Sequence, residues 1–501
     1  MDICLYISDQ HAFEVQGYAG DPCVRTPNLD RIAREGTAFM NAYAAYPVCV
    51  PSRMSMMCGL YATSNGAVSN LSALDSNIPT FAHALNAAGY ETVLCGRMHF
   101  VGPDQRHGFE RRIAADITQA FHNRPARIAT ERGAHNKTPQ GGPNSVSLVG
   151  GGNSPSLEFD RYVVDHALDY LSRDHERPQL LCVGTYAPHH PYVAPVELYK
   201  HYLDRVDVPT ETLDAPLHPA LSQTFRDPDP KLIRAVRAAY RGAVEYEDRL
   251  IGEVYDAFQA YLERTGREGV FLYLSDHGDM EGYRGYFGKD TFYESSVHVP
   301  LLVAGNGVQA GVRKEGAVSL LDIAPTLIEL AGAPDLPHYD GVSLVDELHG
   351  ASDDLDRTVC SETGGNEAYT DFVYGQMAVS AGKKFFHYDG FGEDDVLYDL
   401  SSDPLELNNI LAEQPQVAEH LKRALDKELP VNVDELRKKA TREASWFKLL
   451  LQCDYDSEDL WHCTPAARAE PDPVIRGTLT TEAWIAQMKA QSEAERTASN
   501  A

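Results

Sequence analysis

The chain has 501 residues, 43% of them hydrophobic, and a formal net charge of −29. That length exceeds what one ordinary core organises, so a large domain with smaller attachments is expected, and the negative field argues against nucleic acid or an anionic membrane surface as partner. No apolar run approaches the roughly 18 residues of a membrane span, the first apolar run follows Met1 too closely for a signal peptide, and nine cysteines without C-x-x-C pairs fit reduced thiols in a cytoplasm.

In chain order, residues 3–7 form an aliphatic run ending in Ser8-Asp9-Gln10-His11, and residues 28–35 carry helix-period apolar spacing. Cys49-Val50-Pro51-Ser52-Arg53 follows, with Gly59 six residues beyond Arg53. The bland reading of that segment is a buried thiol beside a turn. A helix is expected over 79–88 and a strand over 92–95 that runs into Gly96-Arg97-Met98-His99. Residues 116–156, rich in Gly, Asn, Ser and Pro, read as a long loop, a pocket wall or a disordered excursion. Helical spacing over 162–172 and 232–264 brackets a run at 180–186 that ends in Ala187-Pro188-His189, and a run at 270–274 ends in Ser275-Asp276-His277-Gly278. Beyond the Pro/Gly-rich segment 333–341, residues 371–380, 383–388 and 396–400 look like antiparallel strands, with a helix near 416–428. The last seventy residues are charged and helix-leaning and hold all three tryptophans, Trp446, Trp461 and Trp484.

The early runs are aliphatic or β-branched with little alternation, as strands buried on both faces require. The expected fold class is therefore α/β: a large, mostly parallel central sheet flanked by helices, with a smaller C-terminal antiparallel-sheet α+β subdomain. Residues 1–350 are expected to form the catalytic unit, 351–430 the small subdomain and 431–501 a helical extension. Each polar cluster falls just past the C-terminal end of its strand, where open α/β sheets bind ligands.

Asp9, Asp276 and His277, with Gln10 as an amide oxygen, make a credible divalent-cation site of mostly hard ligands. A lone Asp at a strand end is more often a helix cap, and His277 has the alternative of a hydrogen-bonding role behind the ligands. Arg53, one turn past Cys49, and Arg97 and Lys289 suit stabilisation of a transferring anion. His99 and His189 suit proton transfer near neutral pH.

In order along the chain, Asp9-Gln10, Cys49-x-Pro-Ser-Arg53, Gly96-Arg-Met-His-Phe100, Pro188-His189, Asp276-His277-Gly278, Lys289 and Val299-Pro300-Leu301 resemble the type I sulfatases of the alkaline phosphatase superfamily over most of residues 1–410. Met98-His-Phe-Val-Gly-Pro-Asp-Gln105 with His107-Gly-Phe-Glu110 is similar to choline sulfatases and to phosphonate monoester hydrolases. The resemblance implies that a formylglycine-generating or radical maturation enzyme oxidises Cys49 to formylglycine, the nucleophile. It implies one divalent cation, Ca²⁺ first and Mn²⁺ second, held by Asp9, Gln10, Asp276, His277 and residue 49. Arg53, Arg97, His99, His189 and Lys289 would bind the anion and move protons. A small-molecule or sugar sulfate ester is the expected substrate, with a phosphonate monoester or phosphodiester, or an unmodified binding protein without turnover, as alternatives. Neither nucleic acid nor membrane is an expected partner, and a homo-oligomer through the C-terminal extension is. Three positions depart from the family pattern: Arg97 and Cys58 where Lys and Thr are usual, and His298 where Arg is common.

Overall fold

The computed structural model describes residues 1–450 apart from 103, 118–144, 147, 222–225 and 365–372, with backbone alone at 440 and 443–450. Strands β1 (Asp2–Asp9), β2 (Thr37–Tyr43), β3 (Glu91–Gly96), β4 (Arg111–Ala114), β6 (Gln179–Pro188), β8 (Gly269–Ser275), β9 (His298–Gly305) and β10 (Val312–Ser319) form one sheet in the order β10-β2-β9-β8-β1-β6-β3-β4. β1 lies parallel to β6 and β8, β3 to β6 and β4, and β10 to β2. β9 is antiparallel to both β2 and β8 and alone runs against the rest. The four strands read from the sequence are thus the adjacent set β8-β1-β6-β3, and their C-terminal ends share one edge.

Both faces of the sheet are covered, which is why its strands lack polar alternation. Along β1, Ile3, Leu5 and Ile7 join a cluster with Val50, Met54, Phe81 and Leu327. Cys4 and Tyr6 point the other way, into a cluster with Leu29, Val163 and Phe258. The first side is roofed by α1 (Cys49–Cys58), and the second by helices Pro27–Glu35, Pro155–Leu171 and Pro230–Thr265.

The last two of those helices carry local start signals. Ser154 accepts a bond from the Leu157 amide and Asp229 from the Lys231 amide, each with proline next in the chain. The Ser154 cap starts its helix seven residues before the periodicity at 162–172 suggests. The expected loop at 116–156 lies mostly outside the described residues, and its end contains strand β5 (Val149–Gly151), paired with β7 (Tyr192–Ala194).

The smaller sheet is an antiparallel meander of β11 (Val359–Thr363), β12 (Gly375–Ser380), β13 (Lys383–Tyr388) and β14 (Val396–Asp399). β11 has no counterpart in the sequence reading; β12 begins at Gly375, and residues 371–372 of the expected strand lie outside the described residues. Met377, Val379 and Phe386 pack into the main core, while Ala378, Phe385 and Leu397 face Leu421 and Leu425 of helix Pro415–Glu428. Trp446 falls on helix Val433–Leu450; Trp461 and Trp484 lie outside the described residues. Among the described residues, no helix is long and apolar enough to cross a membrane.

Candidate active site

Cys49 is the first residue of α1, where unpaired backbone amides and the helix dipole favour negative charge. All ten residues of this helix are buried. Gly59 ends it in the left-handed region (φ 69°), with its amide bonded to the Ser55 carbonyl, and a Cβ there would come within 2.8 Å of Tyr339. Ser52 Oγ donates to the Asp276 carbonyl at 2.6 Å, which pins the helix to the end of β8.

Around the thiol, Lys289 Nζ donates to Cys49 Sγ at 3.1 Å and His277 Nε2 lies 3.2 Å from it. Asp9 Oδ1, at the end of β1, is 3.8 Å away. Ligand atoms of Asp9, Cys49, Asp276 and His277 all lie within 4.8 Å of one another, and all four residues are buried. His277 Nδ1 donates to the Gly278 carbonyl at 3.0 Å, which leaves the Nε2 lone pair facing the cluster. Burial lowers its pKa to about 4, against the opposing charge of Asp276, so the ring is neutral at neutral pH. Two buried carboxylates and an inward-facing neutral imidazole fit a divalent cation.

Arg53 ties the carboxylates together. Its Nε donates to Asp276 Oδ2 at 2.7 Å and its Nη2 to Asp9 Oδ2 at 3.1 Å, from a guanidinium with no exposure. Arg97 Nε reaches Asp9 Oδ2 at 2.5 Å. Burial alone would raise the Asp9 carboxyl, but Arg97, His189, Arg53 and Lys289 together hold it well below its ordinary range. Gln10, in the left-handed region (φ 68°), accepts from Lys289 Nζ at 2.6 Å through Oε1 and donates through Nε2 to Asp279. Its amide oxygen is therefore the lysine's acceptor here, beside the thiol.

On the far side, Arg97 Nη2 donates to His99 Nδ1 at 2.9 Å. His99 is also left-handed (φ 61°), held there by its amide and that of Met98, both donating to Asp116 Oδ2. Burial and the Arg97 charge lower its pKa. His189 Nδ1 donates to the His190 carbonyl at 2.7 Å, and its Nε2 lies 3.9 Å from Asp9 Oδ1. Burial, then His190 and Lys289, hold this imidazole well below its usual pKa, so it too is neutral at neutral pH.

The structure thus gathers Asp9, Gln10, Cys49, Arg53, Arg97, His99, His189, Asp276, His277 and Lys289 around one point. The sequence reading missed the groups that orient them. Asp279 receives Gln10 Nε2 and, at 2.8 Å, the Tyr192 hydroxyl; Asp116 holds the His99 turn; and the Tyr186 ring lies 4.8 Å from the Arg97 guanidinium. Asp279 had a signal, lying two residues past His277; the others carry none without the fold. The three departures are accommodated. Cys58 Sγ takes over the helical back-bond to the Met54 carbonyl at 3.0 Å. Arg97 makes the ion pair just described. His298 stacks on Phe13 at 4.0 Å and bonds Glu294 at 2.8 Å.

The family model described as Sulfatase matches residues 3–333, and the C-terminal model of N-sulphoglucosamine sulphohydrolase matches 282–433. A choline-sulfatase of Rhizobium meliloti (strain 1021) is 35% identical over 424 residues, 78% of each chain. An arylsulfatase of Clostridium perfringens is 28% identical over 471 residues, 85% of this chain and 94% of the relative. Among solved structures, a phosphonate monoester hydrolase of Agrobacterium radiobacter superposes with a TM-score of 0.69 at 22% identity, over 85% of this chain and 95% of the other, which speaks to the fold. With its cysteine-derived centre beside a cluster able to hold a metal, the chain belongs to the sulfatase family, enzymes that hydrolyse sulfate esters.

Proposed function

We propose that Cys49 is oxidised to formylglycine by a separate maturation enzyme, which supplies the oxidant, and that the hydrated aldehyde is the nucleophile. The observation that carries this is the placement of Cys49 Sγ, within 3.2 Å of both Lys289 Nζ and His277 Nε2 at a helix N-terminus. Asp9, Gln10, Asp276 and His277 would hold one divalent cation, Ca²⁺ ahead of Mn²⁺ because oxygen donors predominate. When bound, that cation supplies charge neutralisation and orientation for the ester.

The chain's own residues supply the rest. Lys289 and the α1 amides neutralise the sulfate oxygens as charge gathers on them. One hydroxyl of residue 49 bonds to sulfur, its proton passing to Asp9 Oδ1, while the bond from sulfur to the alcohol breaks and the alcohol departs with a proton that His189 Nε2 takes up beside the anionic ester. The second hydroxyl then loses its proton to His189 Nε2, free again once the alcohol has left, while His99 donates from Nε2 to the departing sulfate; the carbonyl re-forms, sulfate leaves and water restores the hydrate. Arg53 keeps both carboxylates in place, and Arg97 fixes the tautomer of His99, since a guanidinium only donates.

The reading takes a small-molecule or sugar sulfate ester as substrate, supported by the choline-sulfatase relative. It places the enzyme in the cytoplasm, on the strength of its cysteine usage, and gives residues 431–501 a part in subunit contact. Two measurements test it. Mass analysis of the Cys49 peptide is expected to find sulfur replaced by an aldehyde oxygen. Turnover of choline sulfate, a sugar sulfate and an aryl sulfate is expected to exceed that of an aryl phosphonate. An unmodified thiol in an active enzyme overturns the nucleophile, and a preference for the phosphonate overturns the substrate class.

A further inference from the structure

Two buried carboxylates outside the centre, Asp160 and Glu247, have no part in the reaction as described. They meet on one irregular stretch of β6. β6 follows β3 in register as far as Gly96 opposite Gly184, and β1 as far as Ile7 opposite Gly184; pairing with β1 resumes only at Asp9 opposite Pro188. Thr185, Tyr186 and Ala187 therefore bulge out of the ladder. Such bulges re-aim side chains and recur beside active sites. Gly184 marks the point of departure, because a Cβ there would sit 1.8 Å from the Arg97 carbonyl oxygen.

The carboxylates take over where the ladder stops. Asp160, from helix Pro155–Leu171, accepts from the Tyr186 amide at 2.6 Å through Oδ1 and from the Ala187 amide at 2.9 Å through Oδ2. Glu247, from helix Pro230–Thr265, receives the Thr185 hydroxyl and, at 3.0 Å, the Tyr6 hydroxyl. Both acids are fully buried. The bulge they clamp carries the Tyr186 ring, which lies 4.8 Å from the Arg97 guanidinium and 4.5 Å from the His189 ring. His189 itself follows two residues after Ala187. The geometry points to Asp160, backed by Glu247 through Thr185, as a positioning residue for the sulfatase reaction, one that sets the aim of His189 without touching substrate. Burial pushes both carboxyls up, Asp160 to about 8 and Glu247 well above its ordinary range with the Asp160 charge adding to it, while the Tyr186 and Ala187 amides bonded to Asp160 pull that carboxyl back down.

The inference rests on the reading that His189 serves the reaction. Its test is a double-mutant cycle on the mature enzyme with an alkyl sulfate, the substrate on which His189 is expected to matter: Asp160→Asn, His189→Ala and the two combined, each checked by thermal denaturation. Asparagine keeps the shape but turns an N–H donor toward a backbone amide. Since misplacement by an ångström costs up to about a hundredfold, Asp160→Asn is expected to lower kcat/KM by roughly 10- to 100-fold. The double variant is expected within about threefold of His189→Ala, because nothing remains to be aimed once the imidazole is gone. Full multiplication of the two losses, or a folded Asp160→Asn enzyme within about twofold of wild type, a difference at the limit of such comparisons, overturns the inference. If Asp160→Asn fails to fold, Thr185→Val, which removes the hydroxyl's bonds to Glu247 and to the Ile7 carbonyl, takes its place in the same cycle, and the same two results overturn the inference. A His189→Ala enzyme at wild-type turnover overturns the reading of His189 and the inference with it; a slow His189→Ala beside an unaffected Asp160→Asn overturns the inference alone.

Discussion

The C-terminal edge of the main sheet and the four-stranded meander both bury charge, and they do so to different ends. At the edge, three cations face two carboxylates and a thiol, drawn from the ends of β1, β3 and β8, from α1 and from the loop that carries Lys289, and gathered around a cluster able to hold a metal. In the meander, Lys384 is fully buried between Glu294 and Glu406, at 2.8 and 2.5 Å, with His298 bonded to Glu294 behind them. That ion group closes on itself. The contrast teaches that buried charge marks chemistry only where its geometry leaves a place for something else; where it is self-satisfied, it docks one sheet on another.

If the contrast holds, variants at the edge lose turnover and keep the fold, while variants in the meander do the reverse. Cys49→Ala is expected to cost on the order of 10⁴-fold or more in kcat/KM, as removal of a nucleophile does, with cooperative unfolding retained. An alanine enzyme that keeps most of its turnover would remove residue 49 from the mechanism.

Next in size, prolonged chelation is expected to abolish activity. Asp276→Asn is expected to lower kcat/KM by about 10³-fold, the several kcal/mol a bound cation supplies, and to weaken metal retention more than His277→Ala. The lost anionic oxygen is the stronger ligand for a hard cation. Metal analysis that found no divalent ion in fully active protein would break this half of the comparison.

Lys384→Met probes the meander. It strands two buried carboxylates, so about 3–4 kcal/mol of stability should go, seen as a fall in Tm, while kcat/KM measured well below the transition stays within about threefold, a change small enough to leave additivity intact. A large loss of turnover with unchanged Tm would mean that the ion group belongs to the active site.

Much of the edge was legible because a strand buried on both faces writes itself as an aliphatic run, and the polar residues that end it stand out by contrast. Asp9, Arg97, His189 and Asp276 were readable for that reason. Cys49 was readable from its company, Pro51, Ser52 and Arg53. The bulge at Thr185–Ala187 was not, since a register shift is a relation between β6 and β1 that neither segment carries alone. β11 escaped for another reason: Val-Cys-Ser-Glu-Thr has two apolar residues and no alternation, and its place is set by pairing with β12. The role of Asp116 depends on the left-handed turn at His99, which no residue type there announces.

Within the edge, the two histidines divide the comparison further. His189, whose Nε2 lies 3.9 Å from Asp9 Oδ1, is expected to matter where the leaving oxygen is basic. His189→Ala should cost roughly a hundredfold in kcat/KM on an alkyl sulfate and little in kcat/KM on a nitrophenyl sulfate, where the alcohol departs without help. Equal losses on both substrates would mean that the ring binds sulfate instead of moving a proton.

The smallest effect belongs to the meander and concerns pH. His387 Nε2 bonds Gln376 Oε1 at 3.2 Å, and burial, with the Lys422 charge, lowers its pKa to about 4, against the pull of Asp426 and Asp389. Because the unfolded ring takes its proton near 6.5 and the folded ring only near 4, the unfolded state binds more protons through that window, and stability falls as pH drops from 6.5 toward 4. At pH 5.5 the loss from this one group is on the order of 1 kcal/mol. His387→Gln keeps a donor for Gln376 and cannot titrate, so denaturant unfolding between pH 7 and 5 should give a flatter dependence in the variant, with kcat/KM unchanged at neutral pH. Identical slopes for the two proteins would show that the ring is already protonated in the fold, or that it opens to water before it titrates, and the meander would lose its claim to be the closed half of the molecule.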